Sequence, residues 1–65
     1  MNAKDQLKVL RAGFIIIRED QINLSIKQKT AGKKDWHILT KDFKSKAALR
    51  RAMDELLISS KVIED

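Results

Sequence analysis

Phe14-Ile15-Ile16-Ile17-Arg18 sets four apolar side chains in succession and closes on a charge. Branched side chains favour the extended backbone, so the run predicts a strand over 14–18. Side chains alternate across a strand, so consecutive apolar residues put hydrophobic groups on both faces of a sheet. Such a strand needs cover on each side. That requirement points to an α+β layered domain, in which helices or a second subunit supply the cover.

Outward from this run, the elements follow from local pattern. Residues 3–12 predict a short helix, with Ala3, Leu7 and Leu10 at helical spacing, Asn2 as N-cap and Gly13 as the stop. Ten residues are marginal as an isolated helix, so this one must dock. Glu19-Asp20-Gln21 reads as a polar turn. Ile22, Leu24 and Ile26 alternate with polar residues through Lys29, the pattern of a half-buried strand over 22–29. Thr30-Ala31-Gly32-Lys33 reads as a hairpin loop, with Gly32 the residue expected at positive φ. A third strand spans 34–41. Trp36 carries its largest apolar area, so Trp36 and Ile38 are expected inward, with His37 and Leu39 on the other face.

The last helix starts at Ser45, a good N-cap, and is expected to reach Ile58 or Ser59. Leu49, Ala52, Met53 and Leu56 make its core stripe, widened by Ala48 and Leu57, with Phe43 folding against its first turn. The segment Lys61-Val62-Ile63-Glu64-Asp65 is open to two readings, packed or frayed. The expected order is α-β-β-β-α: a three-stranded antiparallel sheet with the C-terminal helix packed on one face.

Length and composition bound the function. Sixty-five residues make one small domain, 1–65, whose core is marginal but sufficient. No cysteine is present, which excludes disulfides and thiolate metal sites and fits a reducing, cytoplasmic setting. Hydrophobic content of 43% with 35% charged residues suits a folded chain. The apolar run at 14–17 is far too short for a signal core or a membrane span, so no membrane association is expected.

Catalytic chemistry finds no footing. His37 is the single histidine, and neither a zinc site nor a nucleophilic triad can be assembled around it. Asp35 and Asp42 fall on opposite faces of their strand and form no carboxylate pair. The two glycines build no phosphate-cradling loop. The expectation is a binding protein with no enzymatic activity, no cofactor, no metal and no small-molecule substrate.

The charge is uneven. The net charge is +5, yet residues 27–51 alone hold nine basic side chains against Asp35 and Asp42. A positive field so concentrated draws in polyanions. A lysine-rich surface also keeps a small domain soluble, and that reading stands beside the first. In the expected register Lys27, Lys29, His37 and Lys41 share the outer sheet face, and Lys33 and Lys34 extend it past the hairpin. A hairpin with a basic face suits a major groove roughly 12 Å wide. Lys44, Lys46, Arg50 and Arg51 gather at the start of the last helix, where free N–H groups already favour phosphate. Cations there oppose the helix dipole, and such local inconsistencies often mark function. These nine residues, Lys27, Lys29, Lys33, Lys34, His37, Lys41, Lys44, Lys46 and Arg50, form the expected nucleic-acid site. Trp36 has a second reading, as a stacking platform for bases.

Two resemblances follow from these residues. Leu24 through Leu57, with Phe43-Lys44-Ser45-Lys46-Ala47-Ala48-Leu49 followed by Ala52-Met53-Asp54, resembles the three-stranded-sheet-plus-helix DNA-binding domains of plant ethylene-response factors and of tyrosine-recombinase arm-binding domains. Those families read the major groove with the sheet face, which the resemblance carries to Lys27, Lys29 and Lys41. The α-β-β-β-α order is also similar to the double-stranded RNA-binding domain, whose lysine cluster at the last helix start corresponds to Lys44, Lys46 and Arg50. The implied partner is nucleic acid, duplex DNA ahead of RNA. The alternative is a protein-interaction or homodimerisation domain, with strand one near the contact.

Overall fold

The computed structural model describes residues 2–65, apart from the side chain of Lys34. The order is α1 (Ala3–Arg11), β1 (Ile15–Asp20), β2 (Ser25–Thr30), β3 (Lys33–Thr40), α2 (Lys46–Leu56) and β4 (Val62–Glu64). The α+β class and the first five elements agree with the sequence reading. The sheet differs: it has four strands in the order β3-β2-β1-β4, and it is mixed. The segment at 61–65 supplies the extra strand, which runs parallel to β1 with Ile15 opposite Val62 and Ile17 opposite Glu64.

The two faces of β1 are covered within the chain. Ile17 enters a core with Ile26, Leu49 and Met53, and Ile15, Phe43, Leu56 and Val62 pack around it. That core lies under α2. Its stripe is the expected one, although the helix ends a turn early, at Leu56. Ile16 points to the opposite face and is also fully buried, beneath α1 and its buried Leu10. Strand one therefore requires no second subunit for cover. The α1 stripe is narrower than expected, because Leu7 remains 53% exposed.

Local signals placed both helix starts and the stop of α1 correctly. The Asn2 side chain accepts a hydrogen bond from the Asp5 N–H at 2.8 Å, and Ser45 Oγ accepts one from the Ala48 N–H at 3.1 Å. Gly13 takes a φ of +95°, which lets the chain leave α1 without steric cost. Gly32 lies outside the left-handed region, contrary to expectation. The residues between β1 and β2 also correct the sequence reading. Asp20 belongs to β1, and its side chain accepts from the N–H groups of Ile22 and Asn23 at 3.1 Å each. This turn consumes Ile22, which is 93% exposed, and Leu24, which adopts a φ of +48°. The alternation at 22–26 was thus split between a turn and a strand.

Candidate nucleic-acid interface

The register of the sheet decides which cations meet. β1 pairs antiparallel with β2, placing Ile16 opposite Lys29 and Arg18 opposite Lys27. β2 pairs with β3, placing Lys27 opposite Ile38 and Gln28 opposite His37. Opposed residues share a face, so Arg18, Lys27, Lys29 and Ile38 lie together, on the side away from α2. Trp36 joins them. Its ring lies 4.1 Å from the Arg18 guanidinium carbon and 5.7 Å from the Lys29 ammonium.

Trp36 and Ile38 are therefore not part of the α2 core, and the register inferred from apolar area is wrong. Trp36 is half-buried, with the Arg18 guanidinium over its ring, and Ile38 is 56% exposed. The cause lies in the β2–β3 ladder, which has two irregularities, one between Ile26 and Lys27 and one between Gln28 and Thr30. The first, one extra residue on β3 at Leu39, is the slip that turns Ile38 and Trp36 away from the face of Ile26; the second is a two-residue offset that keeps the face.

The expected site residues part company accordingly. Lys27 and Lys29 share one face as expected, the one away from α2, where both are half-buried. His37, opposite Gln28, lies on the other face, its ring nitrogen 3.5 Å from the Asp35 carbonyl oxygen. Lys33 is exposed at the hairpin tip. Lys34 is in β3, but its side chain lies outside the described residues. Lys41, Lys44 and Lys46 are exposed at the opposite end of β3, where the chain turns into α2. Arg50 belongs to a different structure. Its guanidinium is bidentate to Glu64, at 2.9 and 3.0 Å, and also bonds Glu19 at 2.9 Å and Asp54 at 2.8 Å. Glu64, Glu19 and Asp54 hold it more firmly cationic than usual, and their charge cancels its own toward an outside phosphate. It ties β1, β4 and α2 together.

Arg18 is the residue that the sequence reading missed. Two residues beyond Ile16 on the same face, and directly opposite Lys27, it was identifiable from alternation once the strand pairing was drawn. It forms an ion pair with Asp65, donating from Nε at 2.9 Å and from its terminal nitrogen. Arg18 holds the Asp65 carboxyl below the ordinary carboxylate range. Lys27 pairs with Asp20 at 3.3 Å. Asp20 falls to about 2, chiefly because the Asn23 side chain and N–H donate to it, with Lys27 adding to the effect. Lys29 has no carboxylate partner among the described residues. Its ammonium donates to the Gln6 side-chain oxygen at 3.1 Å.

The face away from α2 thus carries three cations and one indole ring, with two of the cations paired with carboxylates. Among the described residues no three metal-ligating side chains gather, and no helix is long and apolar enough to cross a membrane. No family model, curated protein or solved structure matches this chain.

Proposed function

We propose that the chain is a small nucleic-acid-binding module that holds a duplex, DNA in preference to RNA, against the β2–β3 half of its sheet. The observation that carries the reading is Lys29, which has no carboxylate partner among the described residues, beside Trp36 on the face away from α2, flanked by Arg18 and Lys27, each paired with one carboxylate. Lys33 extends this group at the hairpin tip. Lys41, Lys44 and Lys46 form a second group at the far end of β3. The eight-residue β3 sets Lys33 and Lys41 about 25 Å apart, with Lys27, opposite Ile38, between them. That span reaches backbone phosphates on both sides of a major groove about 12 Å wide. The major groove of duplex RNA is too narrow for a two-stranded ribbon, which favours DNA.

The test is a titration of labelled duplex at about 50 and 200 mM salt. Replacing Lys27, Lys29 and Lys33 by Gln should lower the salt slope by about one unit per lysine. Replacing Lys4, Lys8 and Lys61, an equal change in charge, should cost much less. Equal losses would reduce the effect to net charge, and no binding at low salt would end the reading.

A second reading, a protein-interaction or homodimerisation domain, has its own observation. β3 is an edge strand that shows both Ile38 and Leu39 to solvent. Open edges recruit further strands. Such association would survive salt that dissolves a phosphate contact.

A further inference from the structure

α1 and the β2–β3 hairpin leave a cleft of about 400 Å³ between them. Leu7, Leu10 and Ala31 line its walls, and Arg11, Lys29 and Lys33 stand around it. The volume falls within the range of small-molecule sites, which combine apolar walls with a few convergent polar groups. The walls alone would not specify an occupant. Lys29 does. Of the three cations on the sheet face away from α2, Arg18 is paired with Asp65 and Lys27 with Asp20, whereas Lys29 meets the neutral amide oxygen of Gln6 and the Trp36 ring but no carboxylate among the described residues. It is half-buried, and neither Arg11 nor Lys33 has a carboxylate within ion-pair distance among the described residues. A partly desolvated ammonium without a counter-anion gains from any carboxylate brought to it. Gln6 and Thr30 are the neutral polar groups of the lining, and the rest of the wall near Lys29 is Ala3, Leu7, Leu10 and Ala31.

We infer that this cleft binds a small amphiphilic carboxylate, its apolar chain lying between Leu7, Leu10 and Ala31 and its carboxylate on Lys29. Arg11 and Lys33 add long-range attraction at the rim. Leu7, exposed at 53% in the absence of any occupant, gains cover when the chain is in place. The inference is independent of nucleic-acid binding, and its test contains no nucleic acid.

Amide chemical shifts of the full chain would be followed while decanoate is added below its micelle-forming concentration. Decanol and acetate serve as the two half-ligands. Saturable shifts confined to α1 and the hairpin are expected for decanoate. Decanol should bind about ten- to a hundredfold more weakly, the value of a charge-assisted hydrogen bond. Acetate should not saturate. Lys29→Gln should bring decanoate down to the level of decanol. Leu7→Ser, at an exposed position that leaves the fold intact, should weaken decanoate and decanol alike. Equal affinity for decanol and decanoate, saturation by acetate, shifts spread over the whole molecule, or no saturable shift would each overturn the assignment.

Discussion

The two faces of the sheet are each covered by a helix, but they are built on different physics. Under α2 the contacts are apolar, and Ile17, Ile26, Leu49 and Met53 are all buried to within 1%. Polar groups stay at the margin, where Arg50 gathers Glu19 and Glu64. Under α1 a smaller apolar seat, Leu10 on Ile16, borders a polar chain that runs from Lys29 through Gln6 to Asp65 and Arg18. A small domain needs one dry face for stability. It can leave the other face wet, and a wet face with fixed cations is one on which binding can occur.

The sharpest way to break this comparison is to hollow out each face in turn. Leu49→Ala under α2 should cost roughly 3–5 kcal/mol, because the site is enclosed and cannot collapse. Leu10→Ala under α1 should cost about 2 kcal/mol, since the cleft beside it already admits solvent. Chemical denaturation measures both. Equal costs would show that the faces contribute alike. Trp36→Ala comes next, at about 1–2 kcal/mol, the sum of half-burial and lost contacts with Arg18 and Lys29. A loss near that of Leu49→Ala would restore Trp36 to the core.

Acid provides a finer probe. The folded pKa of Asp20 and of Asp65 is depressed, so each contributes stability in full above its unfolded pKa and loses it as pH falls through the folded one. For Asp20 that window runs from the usual 3.8 down to about 2. The denaturation midpoint should therefore fall between about pH 5 and pH 2. Asp65→Asn should lower the midpoint at neutral pH and make this acid fall shallower. It should also raise hydrogen exchange in α1, through Gln6. Glu64→Gln, one residue earlier but facing Arg50, should leave exchange in α1 unchanged. If both variants act on α1, the faces are not separate. The smallest effect is expected from Ile38→Thr, within about 0.5 kcal/mol, because the side chain is already in solvent.

Legibility in the sequence tracked distance along the chain. The strand at 14–18, the caps at Asn2 and Ser45, the stop at Gly13 and the stripe from Leu49 to Leu56 depend on neighbours a few residues away, and all were readable. The register of β3 depends on the one-residue irregularity at Leu39 opposite β2, for which the local sequence gives no sign. β4 was open to either reading because its three residues are held by β1 and by ion pairs to Arg18 and Arg50, all remote in sequence. The same holds for the candidate site. Lys27 and Lys29 could be placed by alternation within their strand. His37 was misplaced by the shifted register, Arg50 by its three carboxylate partners, and Arg18 was overlooked because its relation to Lys27 and Trp36 exists only across strands.

The parallel pairing of β4 with β1 also sets an order of events. The hairpins β1–β2 and β2–β3 close over a few residues, whereas the hydrogen bond from the Asp65 N–H to the Ile17 carbonyl encloses residues 17–65, about three quarters of the chain. Loop-closure entropy grows with the enclosed length, so contacts of high sequence separation are rewarded late in folding. β4 should thus be unstructured in the transition state, with φ-values near zero at Val62 and Ile63. Changes there should speed unfolding while leaving the folding rate nearly untouched. The short strand that completes the sheet is, on this view, the latch that determines how long the folded molecule persists once formed.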